Sequence, residues 1–169
     1  MSVVATPTAK SIANGDVLGP QRAAGQDVPQ LQGQEVVTVR TYEHRRDPDA
    51  VSSTRTELEG IACSLESDGY RAAVKTPAQV TVPDYGYASR PIRIQCNAPG
   101  FKTGVATVQP YSKTSASRIG AARGAGLAAV LIVAVVDSAT DPKKHDYGYE
   151  FANVTMNRTN CASTKAGCR

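Results

Sequence analysis

Over residues 58–102 the chain alternates in a way that leaves it little but a sheet to form. Ala78-Gln79-Val80-Thr81-Val82 and Ile92-Arg93-Ile94-Gln95-Cys96 place apolar and polar residues in turn, the period of strands with one buried and one wet face. Ile61, Cys63 and Leu65 share a parity as well. Cys63 and Cys96 therefore both fall on expected core faces, where a pair could meet across a small sandwich. Thr76-Pro77 and Val82-Pro83 bracket one short strand, because proline fixes φ and withholds a ladder donor. Asp68-Gly69 predicts a hairpin turn into a strand over residues 70–74, and Asp84-Tyr85-Gly86 and Asn97-Ala98-Pro99-Gly100 predict two further turns. The pattern defines a compact antiparallel β module and says nothing of an activity.

Flanking regions are read by composition and period. Leu, Ile, Val and Phe make up about a fifth of the chain, near the level at which segments fail to fold on their own. There is no Trp and there are two Phe, so Val, Ile, Leu, Ala and some of the seven Tyr must build the core. Residues 1–34 carry Pro7, Pro20 and Pro29 and show no apolar period, which predicts a flexible or partner-bound N-terminal arm. The first residues lack the basic start and the apolar run of a signal peptide, so an exported form needs a leader upstream of them. A net charge of +4 suits an anionic surface, but it is too small and too dispersed to make nucleic acid an expected partner.

Residues 35–42 predict the first strand, residues 43–49 a mixed-charge loop holding His44, and residues 51–58 an edge strand. Residues 104–109 alternate again, with Val105, Thr107 and Gln109 on one face and Ala106 and Val108 on the other, until Pro110. The period then changes. Residues 114–117 supply helix-capping candidates ahead of an apolar Gly/Ala-rich segment over residues 113–140. Its uninterrupted apolar part, residues 124–136, is shorter than the roughly 20 residues of a bilayer-spanning helix. Gly120, Arg123, Gly124, Leu127 and Leu131 are its candidate membrane or partner contacts, and Gly120 and Gly124 have the spacing of closely approaching helices. A buried helix or hairpin, a membrane-inserted or self-associating segment, and a buried strand all remain open for it. Residues 141–156 predict a loop, with His145, and a closing strand; residues 157–169 form a cysteine-containing tail.

Several pieces of residues 35–112 and beyond stand in a recognisable order: Gly60-Ile61-Ala62-Cys63, Thr76-Pro77, Ile94-Gln95-Cys96 and Gly100-Phe101-Lys102, then the apolar residues 120–136, Asp146-Tyr147 and Val154-Thr155-Met156. In this order they resemble a PEGA-like β module followed by a Gly/Ala-rich segment, as found in bacterial envelope proteins, many of them small lipoproteins. The Pro-Glu-Gly-Ala signature is reduced to Glu59-Gly60-Ile61-Ala62, and no lipobox cysteine precedes the module. The resemblance implies the periplasmic face of the cell envelope and association with membrane or envelope proteins. It implies no defined activity.

Four cysteines allow three pairings, and position favours Cys63 with Cys96 and Cys161 with Cys168, against four unpaired thiols. The first pair would stabilise by roughly 4 kcal/mol at most and points to an oxidising compartment. Zinc is a poorer reading, since no Cys-x-x-Cys occurs. Neither nucleophile elbow, phosphate loop nor His-Glu-x-x-His occurs, so neither cofactor nor enzyme is expected. The chain is thus expected to be mainly β, a small antiparallel β-sandwich with one Gly/Ala-rich helix or hairpin and disordered or extended termini. Its expected role is that of a non-enzymatic structural or interaction protein of the envelope, anchored to membrane or to a protein assembly and self-associating through residues 120–136. The alternative is a glycan-binding module, for peptidoglycan, using Tyr70, Tyr85, Tyr87 and Tyr111 as stacking surfaces with Arg90 and Arg93. A hydrolase with an unrecognised site, tested at His44 or His145, comes last.

Overall fold

The computed structural model describes residues 1–8, 15–45, 52, 54–123 and 140–160. The strands are β1 (Ser2–Val4), β2 (Thr6–Pro7), β3 (Gly33–Arg45), β4 (Thr54–Leu58), β5 (Ala62–Ser67), β6 (Tyr70–Lys75), β7 (Ala78–Asp84), β8 (Ile92–Asn97), β9 (Gly104–Val108), β10 (Pro110–Ser112), β11 (Tyr147–Tyr149) and β12 (Ala152–Thr155). Two helices join them, α1 (Gly19–Ala23) and α2 (Lys113–Arg123). Sheet A has the order β1-β7-β3-β12 with β4 also on β3; sheet B has the order β2-β6-β5-β8-β9; β10 and β11, separated in sequence by residues 113–146, form a two-stranded antiparallel ribbon. The fold is mainly β and mostly antiparallel, as the alternating runs predict. Two pairings are parallel, β1 with β7 and β12 with β3, and each joins segments distant in sequence.

Strand β3 organises sheet A. Val39 lies opposite both Ala78 and Ala152, and Thr41 opposite both Leu58 and Val154, so β12 occupies one edge of β3 while β7 and β4 share the other end to end. Between β4 and β7 the chain crosses to sheet B and returns. The two crossings are tied side by side: Gly60 N donates to Thr76 O at 2.6 Å and Thr76 N to Ile61 O at 3.0 Å. The buried Thr41 hydroxyl donates to Leu58 O at 2.6 Å and meets the Thr76 hydroxyl at 2.8 Å, so polar atoms enter the core already partnered. The Thr76-Pro77 peptide is cis.

Val37, Val39, Leu65, Val80, Val82, Ile92, Ile94 and Val154 form the centre of the core, on the faces their alternation assigns. Cys63 and Cys96 are directly opposed on the neighbouring strands β5 and β8 and form a disulfide with S–S 2.02 Å. They join two strands within sheet B rather than crossing the sandwich, because β8 returns beside β5 in the same sheet. The hairpin at Asp68-Gly69 forms, with Gly69 at φ +85°, a value that favours glycine, and with no room for a Cβ beside Val17.

The N-terminal arm is extended, but along its own chain. β1 lies on sheet A and β2 on sheet B, so one short stretch steps between the sheets. Val17, Leu18 and Val28 are buried in the common core. Tyr85 holds this segment in place: its hydroxyl donates to Asp16 Oδ1 at 2.9 Å and accepts from Leu18 N at 3.2 Å. On the opposite side the sheets meet where β9 passes β12. A Cβ on Gly104 would lie 2.6 Å from Met156 Sδ and 2.9 Å from Thr155 O. Lys102 N donates to Asn157 O at 2.7 Å and Thr159 N to Gly100 O at 3.0 Å, which ties the start of the expected tail to the body.

Other boundaries move for local reasons. Glu43, His44 and Arg45, expected in a loop, continue β3 because β4 pairs with them. Pro110 ends the ladder with β8, and the chain changes partner to β11. Helix α2 is capped earlier than expected, by Ser112, whose Oγ accepts from Ser115 N at 3.0 Å. Among the described residues no helix is long and apolar enough to cross a membrane. Gly120 and Arg123 lie in the last turns of α2, whereas Gly124, Leu127, Leu131, Cys161 and Cys168 lie outside the described residues.

Candidate binding site

Because Val37 and Val39 face inward, Val36, Thr38 and Arg40 of β3 face outward. Register places Gln79 of β7 directly beside Thr38 and Asn153 of β12 directly beside Arg40, so amide, hydroxyl and guanidinium groups share one outer face. At the Val36 end the β10–β11 ribbon forms a wall carrying Tyr111 and Tyr149, followed by Glu150 and Phe151. Face and wall enclose a groove of about 670 Å³. It opens toward a second hollow of about 330 Å³ that shares Thr38 and Gln79 and continues past Arg40 to Ser2. Val36 is 50% and Phe151 69% exposed, so the groove keeps apolar surface in water.

The wall is rigid for a physical reason. Tyr149 is buried and donates its hydroxyl to Arg90 O at 2.7 Å, and burial first, then the neighbouring Tyr70, pushes its phenol well above the ordinary range. Lys113, at the start of α2, bonds Glu35 Oε1 at 2.8 Å and lies 3.3 Å from Asp146 Oδ2. Those bonds, Glu35 first, raise its pKa. Gly148 makes room for the bridge, since a Cβ there would meet Glu35 Oε2 at 3.0 Å and Lys113 Cδ at 3.1 Å. The β10–β11 ribbon is thereby fastened to β3 on one side and to α2 on the other.

Two clusters near this wall have the residue types of catalytic or metal sites. Carboxylate oxygens of Glu35, Asp84 and Asp146 lie within 4.8 Å of one another. Lys113 already supplies a cation to Glu35 and Asp146, while Asp84 accepts from Gly86 N at 2.8 Å and from Ser89 Oγ at 3.3 Å. The arrangement is a structural brace in which Lys113 bridges two of the carboxylates and neutral donors hold the third. The buried His145 has Nδ1 3.1 Å from Ser112 Oγ and 3.3 Å from Ser115 Oγ. Since Ser112 Oγ caps α2, this contact joins the loop of residues 140–146 to the helix start. His44 lies in β3 opposite Arg55, far along the strand from this cluster.

The structure redistributes the tyrosines expected as stacking surfaces. Tyr70 and Tyr85 are 3% and 2% exposed and belong to the core, so they cannot offer a ring face. Their places beside turns suggest exposure, but the arm of residues 15–34 covers that end. Tyr87 is half-buried, its hydroxyl donates to Asp27 Oδ1 at 2.9 Å, and Lys143 Nζ stands 5.2 Å from its ring centroid. Arg90 turns to Gln21 at 3.3 Å and Asp68 at 4.0 Å, and Arg93 lies exposed on the outer face of sheet B. Only Tyr111 lines the groove. Its partners Val36, Tyr149 and Phe151 had one legible signal: Val36 is apolar but out of phase with Val37 and Val39. No family model, curated protein or solved structure matches the chain.

Proposed function

We propose that the chain is a non-enzymatic binding module of the bacterial cell envelope, and that the groove on the outer face of sheet A takes a glycan strand. The observation that carries this reading is the groove itself, in which the exposed Phe151 and the half-buried Tyr111 border a floor of Thr38, Gln79 and Asn153. Sugar rings present apolar C–H faces to aromatic rings and hydroxyls to amides, and this surface offers both kinds of partner in one elongated hollow. The Cys63–Cys96 disulfide supports an oxidising compartment, and the PEGA-like order of the β module supports the periplasmic face of the envelope. Attachment to membrane or envelope proteins through residues 120–136 remains part of the proposal, with α2 presenting the start of that segment beside the wall.

The test is co-sedimentation of the purified chain with peptidoglycan sacculi, for wild type, Phe151→Ala and Tyr111→Ala. Wild type is expected to sediment with the sacculi and both variants to lose about tenfold in affinity while keeping their fold. A wild-type chain that stays in the supernatant, or variants that sediment as well as wild type, would overturn the reading.

A further inference from the structure

The sandwich covers most of its strand edges. β1 and β2 bridge the two sheets on one side, and β9 and β12 with residues 100–102 and 157–159 close the other. β4 differs. It pairs with β3 along one edge, and among the described residues its other edge pairs with no strand. An open edge presents unpaired backbone donors and acceptors, a template for another strand. Proteins blunt such edges with like charges, above all lysine, with proline or with a bulge; β4, Thr54-Arg55-Thr56-Glu57-Leu58, has no lysine, proline or bulge, and its two charges are of opposite sign.

Its charge order names the partner. If β4 pairs antiparallel with a second β4 about Thr56, Arg55 of each copy lies directly opposite Glu57 of the other, twice by symmetry. Slipping the register by two residues, the smallest shift that keeps the outer faces on one side, sets Arg55 against Arg55 in one direction and Glu57 against Glu57 in the other. Directly opposed like charges on a sheet are destabilising and opposed unlike charges stabilising, so one register is selected and its neighbours are rejected. Both side chains are already held on the outer face: Arg55 lies over the Tyr42 ring, 3.5 Å from its centroid, and Glu57 accepts from Arg40 at 3.4 Å. Thr54, Arg55 and Thr56 are exposed, and so accessible to a partner strand.

We infer that the occupant of this edge is a second copy of the same chain, forming a two-fold dimer in which sheet A runs continuously from one protomer into the other through β4. The two-fold axis stands perpendicular to the sheet, so the outer faces of both protomers point the same way. Two grooves then open on one surface, and a polymeric ligand would meet both; the dimer itself does not depend on what the groove binds.

The test is sedimentation equilibrium of the full, oxidised chain for wild type, the single variant Arg55→Glu, and the charge swap that combines Arg55→Glu with Glu57→Arg. Wild type is expected to dimerise. The single variant should dissociate at least tenfold more readily, because the introduced carboxylate then faces Glu57 of the other copy, and the swap should return to within about threefold of wild type. Rescue by the swap separates pairing across the edge from simple damage to the protomer. A wild-type monomer at every concentration, an Arg55→Glu chain that dimerises as wild type does, or a swap no better than the single variant would overturn the inference.

Discussion

The two outer faces of the sandwich are made by the same alternation and end with different surfaces. On sheet B the outward positions are Ala62, Ser64, Glu66, Arg71, Ala73, Lys75, Arg93, Gln95 and Thr107, small or charged side chains with one exposed valine, Val105. On sheet A the corresponding positions of β3, β7 and β12 combine Val36 with Thr38, Gln79 and Asn153, and the β10–β11 ribbon with Phe151 places aromatic side chains beside them. Sheet B also borders a hollow, of about 500 Å³ beside Ala62, Ser64, Ala73 and Lys75, but no aromatic side chain lines it; the β10–β11 ribbon and the residues after it give the groove on sheet A its aromatic side. The aromatic side of the groove therefore comes from β10, β11 and the residues that follow them, while the module strands supply its floor.

The largest effect is expected in the core between the two faces, where the disulfide of sheet B is buried. Replacing Cys63 and Cys96 together by serine should lower stability by about 2–5 kcal/mol, read by urea unfolding under oxidising conditions, and both faces should be lost in one transition. Next comes the closure between β9 and β12: Gly104→Val should cost about 1–3 kcal/mol by overpacking against Met156, Val154 and the Thr155 carbonyl, measured by thermal melting. A smaller effect sharpens the contrast between faces. Phe151→Ala should reduce glycan binding about tenfold with stability within about 0.5 kcal/mol, whereas Lys75→Ala on sheet B should leave binding unchanged.

The smallest effect is one of pH. Arg158 hydrogen-bonds the buried Glu43 carboxylate, and Arg45 adds to it, holding its pKa below the ordinary glutamate range. Its contribution to stability is then fully present above the ordinary glutamate pKa and is lost as pH falls through the depressed native value. Unfolding midpoints measured across that acidic window should show a steeper decline for wild type than for Glu43→Gln.

Much of the sandwich was legible because its strands obey a period of two: Ile92, Ile94 and Cys96 face inward as their spacing dictates. The N-terminal segment was not, because Val17, Leu18 and Val28 enter the core singly from loops, and no period marks residues that arrive that way. Nor does sequence show that Tyr85 would find Asp16 and Leu18 across the fold, which turned an expected stacking surface into a core residue. The groove needed three remote segments, Val36, Tyr111 and Phe151, brought together by the parallel pairing of β12 on β3 and by the long-range antiparallel pairing of β10 with β11. In the sequence it was signalled by Tyr111, among the expected stacking tyrosines, and by the phase of Val36.

The most direct test of the central claim is to follow backbone amide resonances of the oxidised chain while adding a soluble peptidoglycan fragment. The account predicts saturable shifts concentrated at Val36, Thr38, Gln79, Tyr111, Phe151 and Asn153, with sheet B unmoved. Shifts confined to the outer face of sheet B, or none at any concentration of the fragment, would contradict it.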